Sequence, residues 1–129
     1  IHYAVKMGAD IINYSGGGIL RNAEEEEALR WAAAKGVLVV AAAGNEGLNS
    51  DFFHFYPAGY DLPNILSVTA TDRQGRLLDG SNFGVTTVDL AAPGRNIYST
   101  LPGGAYGYMS GTSQATAFAT GIAALMLAQ

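Results

Sequence analysis

Residues 10–47 read DIINYSGGGILRNAEEEEALRWAAAKGVLVVAAAGNEG, and the succession of patterns in this stretch decides the architecture. Residues 10–15, with Ile11 and Ile12, form a short apolar segment that runs into Gly16, Gly17 and Gly18, as a strand does when it ends in a loop of close backbone approach. Asn22 with Glu25 three residues later has the spacing of a capping box, so a helix is predicted to start there. Its four acids, Glu24 to Glu27, complement the positive end of the helix dipole and read as a solvated face, while Lys35 and Gly36 mark its end. Residues 37–43 are apolar without alternation, the pattern of a strand covered on both faces in a parallel sheet. Strand, helix and strand in this order make a right-handed crossover, and ligands of such sheets gather beyond the carboxyl ends of the strands. Gly16 to Gly18 and Gly44-Asn45 both lie at such ends. The predicted fold class is α/β, a parallel β-sheet with flanking helices.

Outward from this unit, residues 1–7 resemble the last turns of a helix stopped by Gly8. Residues 48–64, rich in aromatics, Asn, Asp, Gly and Pro, read as an irregular excursion before a strand at 65–70. A turn-rich connection follows at 72–84, then short strands at 88–91, 97–99 and 106–109, separated by Pro93-Gly94 and Pro102-Gly103-Gly104. Residues 113–127 form an alanine-rich helix, apolar nearly all round, as expected of a helix buried in the core. Neither an internal repeat nor a linker breaks the chain, so residues 1–129 are taken as one domain or part of one.

Composition narrows the function classes. A net charge of −4, a pI near 4.9 and seven scattered Lys and Arg oppose the phosphate-neutralising surface that nucleic-acid binding needs. No apolar run has bilayer-spanning length, so no membrane partner is expected. The absence of cysteine removes disulfides, thiol catalysis and zinc-thiolate sites, and leaves the compartment open.

The stretch Gly111-Thr112-Ser113-Gln114-Ala115 stands at the entrance of the last helix, where unpaired amides and the dipole favour negative charge. Alone, Ser113 reads as a helix cap. Its surroundings, Gly-Thr-Ser-x-Ala, resemble the active-site serine segment of the subtilisin-like proteases, or subtilases. Other segments agree in order: residues 11–18 are similar to the family strand that ends in a substrate-binding serine and glycines, and residues 39–47 resemble the segment carrying the oxyanion-hole asparagine. Tyr56-Pro57-Ala58, residues 68–70, 90–94 and 99–103 match as well, so the resemblance covers almost the whole chain.

The resemblance implies a subtilisin-like partial domain and a serine endopeptidase acting on protein or peptide substrate. In it, Ser113 attacks the scissile carbonyl and Asn45, with the Ser113 amide, stabilises the oxyanion. It also implies that Ser15, Gly16, Gly17 and Gly18 form one wall of the primary specificity pocket, with substrate pairing to their backbone, and that Ala43, Gly44 and Asn45 form the other. Glycine at Gly16, where relatives carry a larger apolar residue, suggests an open rim, and Glu46 is read as an exposed turn carboxylate, with an influence on the preference for charged side chains as the alternative. No cofactor is required; calcium is admitted at the loop around Ala58, Tyr60 and Asp61. Secretion is the compartment that the resemblance suggests.

Two departures qualify it. The family's Asp-His-Ser triad is not complete here: His2 lies in the first helix, His54 in an aromatic loop, and Asp10 belongs to a strand. The expectation is that residues 1–129 are the C-terminal portion of a peptidase domain whose Asp and His lie upstream, inactive alone and prone to self-association through an exposed truncated sheet. Ala117 and Phe118 stand where the family usually has proline and often histidine. Two alternatives stay open: a noncatalytic subtilase-like module that binds peptides or proteins, and a nucleotide-binding α/β domain using Gly16 to Gly18 as a phosphate loop.

Overall fold

The computed structural model describes residues 1–129. The unbroken apolar run becomes β2 (Leu38–Ala42), with β1 (Ile11–Tyr14) on one side and β3 (Ile65–Thr71) then β4 (Leu90–Pro93) on the other. All three pairings are parallel, with Ile12 beside Val39, Val40 beside Leu66 and Ala70 beside Ala92. Successive residues of a strand face opposite sides, and Val39 and Val40 are both fully buried. A layer must therefore cover each face. On one side α3 (Thr112–Leu127) packs Ala115 and Ala119 against Val40, Val68, Ala70 and Ala92. On the other, Leu29 of α2 (Ala23–Ala34) joins Val39, Tyr60 and Leu62. The short α1 (His2–Lys6) ends at Met7 before Gly8, and β5 (Ile97–Leu101) and β6 (Ala105–Met109) form a separate antiparallel hairpin.

Two expectations need correction at α2. Asn22 does cap the helix, its side-chain oxygen accepting from the amides of Glu24 (2.9 Å) and Glu25 (3.1 Å). The reciprocal half of the capping box does not form, because the Glu25 carboxylate instead accepts from the hydroxyls of Tyr14 (2.6 Å) and Tyr60 (3.1 Å). Asn22 finds its own partner in the Tyr60 hydroxyl at 3.0 Å. The hydrogen bond to Glu25 is the main reason that the Tyr14 phenol is pushed up to about 12. Nor are the four acids one solvated face: Glu26 is buried and takes Arg21 and Arg30, each at 2.6 Å. These cations hold its carboxyl below the usual range.

A third correction concerns α3. Only its small-residue face, Thr112, Ala115, Thr116 and Ala119, is buried, while Ile122, Leu125, Met126 and Leu127 are each more than half exposed. The sheet covers one side of this helix and these 129 residues put nothing over the far end of the other. The thin face also carries polar ties: the Thr116 hydroxyl donates to the Thr112 carbonyl at 2.7 Å, and the Thr120 hydroxyl reaches Asn13 of β1 at 2.9 Å.

The loop after β2 is anchored by one carboxylate. Asp51 accepts from the amides of Val85 (2.8 Å), Thr86 and Thr87 (3.0 Å each), and from the hydroxyls of both threonines (2.8 and 2.9 Å). These donors, the Val85 amide foremost, hold the carboxyl far below the usual carboxylate range. A folded value below the unfolded one, about 3.9, stabilises fully above that unfolded value and fades as pH falls toward the folded one. Asp51→Asn is therefore expected to lower the urea midpoint at pH 7, with its deficit against the wild type shrinking below about pH 4. Equal midpoints at pH 7 would show the tether to be idle.

Candidate active site

The site is built where β1 and β2 end and α3 begins. The chain leaves β4 through Gly94, whose amide bonds to the Thr71 carbonyl and whose carbonyl accepts from the Gly111 amide, each at 2.9 Å. Gly111 caps α3, so Ser113 is the second residue of the helix and not its cap. Amides of a first helical turn have no partner within the helix, and this leaves the dipole's positive end beside the Ser113 hydroxyl.

Two reciprocal bonds lock that turn to the end of β1. Ser113 Oγ donates to the Ser15 carbonyl at 2.9 Å, and Ser15 Oγ donates to the Ser113 carbonyl at 2.9 Å. The serine is thus a neutral hydroxyl whose proton rests on a carbonyl.

Asn45, exposed just past β2, faces the same turn. Its Oδ1 accepts from the Thr112 amide at 2.9 Å and the Thr112 hydroxyl at 3.2 Å. With the carbonyl end committed, Nδ2 is the end left to donate to a ligand. The structure brings together Ser15, Asn45 and Ser113, which are far apart in the chain. It does not bring in a histidine: His2 stacks on Trp31 with centroids 4.9 Å apart, and His54 tilts against Tyr56 at 6.1 Å. Asp10 remains in the approach to β1, its carbonyl accepting from the Leu38 amide at 3.0 Å.

The glycine loop divides in two. Gly18 pairs with Tyr56 through both its amide (2.9 Å) and its carbonyl (2.7 Å), so its backbone is not open to a substrate as the sequence reading had it. Gly16 and Gly17 are exposed and make no backbone hydrogen bond. Neither do these glycines open a helix, since α2 starts only after Asn22 and with three acids in its first turn. Those acids would repel a phosphate, which removes the support for a nucleotide loop.

One residue escaped the sequence reading. Asn82 is fully buried and uses every polar atom it has. Its Oδ1 accepts from the amides of Glu46 (3.0 Å) and Leu48 (2.9 Å); its Nδ2 donates to the Ala43 carbonyl and to Glu46 Oε2, each at 2.8 Å. Its backbone adds bonds from its amide to the Gly44 carbonyl (2.9 Å) and from the Thr69 hydroxyl to its carbonyl (2.6 Å). The turn that carries Asn45 is therefore folded around this side chain, and Glu46, exposed as read from the sequence, is tied to it through Oε2. In sequence Asn82 sits in a turn-rich stretch where an asparagine reads as a surface turn residue.

No three His, Cys, Asp or Glu side chains gather in a set able to hold a metal. Beside Ala58 and Tyr60, Asp61 and Asp89 line a cavity of about 270 Å³ with His54. Asp89 already accepts from the Ser67 amide at 2.7 Å. A larger groove of about 660 Å³ adjoins Ser113, lined by Tyr98, Met109, Phe118, Ile122 and Leu125.

Comparison with known proteins agrees across the chain. The sequence model described as "Subtilase family" matches residues 1–129. A thermophilic serine proteinase of Bacillus sp. (strain AK1) is 45% identical over 129 residues, and thermitase of Thermoactinomyces vulgaris is 42% identical over 129 residues; all of this chain is covered, against 31% and 44% of theirs. Among solved structures, the prenylagaramide maturation protease PagA superposes with a TM-score of 0.87 at 36% identity, covering 98% of this chain and 46% of its own. The self-cleaved protease domain of PatA gives 0.87 at 41% identity, covering 98% and 48%. The chain thus spans from 31% to 48% of the length of these relatives.

Replacing Asn82 with alanine would strand the Ala43 carbonyl and the amides of Glu46 and Leu48 in a buried site. The expected loss is about 3 kcal/mol of unfolding free energy, read by urea denaturation. Hydrogen exchange should also quicken at the Glu46 and Leu48 amides; unchanged exchange there would refute the stapling role.

Proposed function

The chain belongs to the subtilase family, and on that premise we propose that it supplies the nucleophile and oxyanion hole of a serine endopeptidase. Members of the family are serine proteases acting on protein or peptide substrates. The observation that carries the reading is the anchored asparagine. Thr112 occupies the carbonyl end of Asn45, so Nδ2 is left to face a carbonyl oxygen brought to the adjacent Ser113.

In this reading Ser113 Oγ leaves the Ser15 carbonyl, passes its proton to a histidine and bonds to the scissile carbonyl carbon. The negative charge that develops on the oxygen meets Asn45 Nδ2 and the Ser113 amide at the start of α3. Collapse expels the amine, which takes the proton back from the histidine, and water repeats the sequence to release the acid. Gly16 and Gly17 offer open backbone for an extended substrate to pair with, and the segments 15–17 and 43–45 flank the residue before the scissile bond.

The base and its carboxylate are absent from the surroundings of Ser113. They are assigned to polypeptide outside these 129 residues, which makes this chain the serine-bearing portion of a peptidase domain, silent by itself. The chemistry needs no cofactor. Calcium, if bound, would use Asp61, Asp89 and the loop carbonyls near Ala58 and Tyr60, a stabilising role and not a catalytic one. Secretion belongs to the same reading, and no helix is long and apolar enough to cross a membrane.

A second reading, a noncatalytic module that binds peptide or protein, is favoured by the same missing base and by the Ser113 hydroxyl being occupied by Ser15. Covalent labelling separates the two. A fluorophosphonate is expected to label the full-length protein and neither its Ser113→Ala variant nor residues 1–129 alone. Asn45→Ala should lower kcat about 10²- to 10³-fold, a figure carried over from removal of such a donor in a subtilisin. No labelling of the folded full-length protein would favour the binding module.

The open edge of β1 and the exposed apolar end of α3 make self-association the expected state of residues 1–129 alone. Light scattering at micromolar concentration should report species larger than 13.4 kDa; a clean monomer would contradict this.

A further inference from the structure

The two backbone walls beside Ser113 do not enclose an empty pocket. Between the segment 15–17, which leads away from the Ser113 contact, and the segment 43–45, which leads to Asn45, lies the ring of Phe55. A Cβ built on Gly17 would collide with one edge of that ring, and a Cβ on Gly44 would come 2.9 Å from the other edge. The ring thus spans the gap between the walls and adds to the crowding that keeps both positions glycine, which the Tyr56 carbonyl also imposes at Gly17 and the Asn82 and Glu46 side chains at Gly44.

The ring is not free to retreat. Phe55 is 9% exposed. Its carbonyl accepts from the Gly59 amide at 2.7 Å, and the next residue, Tyr56, is pinned to Gly18 by two backbone bonds of 2.7 and 2.9 Å. The segment that carries Phe55 is therefore tied to the glycine wall that its ring touches, so wall and ring are expected to stay together.

We propose that Phe55 closes the pocket next to the nucleophile, so that the residue whose carbonyl Ser113 attacks must be small: glycine, alanine or serine. This inference rests on the protease reading and adds the substrate class to it. A peptide carbonyl presented to both Ser113 Oγ and Asn45 Nδ2 directs the preceding side chain between the two walls, into the volume that the benzyl group already fills. A methyl or hydroxymethyl group fits at the rim. A leucine or phenylalanine side chain needs the space of the ring itself, and two aromatic side chains cannot share one close-packed volume. The open rim left by Gly16 does not relieve this, because the obstruction lies deeper, at Gly17 and Gly44.

The test is a series of peptide amides identical except for Ala, Ser, Leu or Phe before the scissile bond, offered to the full-length protein. Cleavage of the Ala and Ser peptides should exceed that of the Phe peptide by about 100-fold in kcat/KM. Phe55→Gly should raise kcat/KM for the Leu and Phe peptides and shrink or reverse the ratio, with a thermal unfolding transition showing that the variant folds. If it does not fold, the wild-type series decides alone. Preference for Leu or Phe by a protein whose Ser113 takes a fluorophosphonate would overturn the Phe55 proposal and leave the protease reading intact. Absence of both cleavage and labelling would overturn the protease reading and, with it, this one. An unchanged ratio in folded Phe55→Gly would also overturn the assignment to Phe55.

Discussion

Close seating of α3 on the parallel sheet is the contact from which the rest of the structure follows. Ala115 and Ala119 carry only methyl groups toward Val40, Val68, Ala70 and Ala92, and this lets the helix axis approach the sheet closely. Its first turn then arrives at the carboxyl ends of β1 and β2. There the short polar side chains take over: Ser15 and Ser113 exchange hydrogen bonds, and Asn45 grips Thr112. Bulkier residues on that face of the helix would lift the turn away and break all of these bonds together. The apolar packing and the polar constellation are therefore one arrangement.

Behind the exposed site stands a buried polar support. Backbone groups in a sharp turn after a buried strand cannot all reach water, and each one left unpaired is costly. Asn82 satisfies three of them with its side chain, and Asp51 gathers the next loop through the amides and hydroxyls of residues 85–87. The turn that carries Asn45 and Glu46 thus owes its shape to a side chain more than thirty positions further along the chain. In this way a turn with little regular structure can hold one amide in one orientation.

The apolar surface of α3 has the opposite character. Its far face shows Ile122, Leu125 and Met126 to water beside a groove that opens at Ser113. Water penalises apolar area of this extent. Neither histidine enters this neighbourhood, His2 being stacked on Trp31 and His54 tilted against Tyr56.

Much was legible in the sequence because it depends on local pattern. The unbroken run 37–43, the cap at Asn22, the glycine stops and the order of strands and helices are set by periodicity and backbone preference, and the structure bears them out to within a residue or two at most ends, β4 being the main shift. The Gly-Thr-Ser-x-Ala segment and its companions were legible as family resemblance. The diversion of Glu25 to two tyrosines, the burial of Glu26, the one-sided burial of α3, the pairing of Gly18 with Tyr56, and the places of Asn82 and Phe55 were not. Each depends on which distant residue arrives beside it, and an asparagine in a turn or a phenylalanine in an aromatic loop reads alike whether it meets water or a backbone wall. The sequence by itself determined the elements and the chemical groups available; only the tertiary structure decided which of those groups meet, because that is set by contacts between residues with no neighbourhood in the chain.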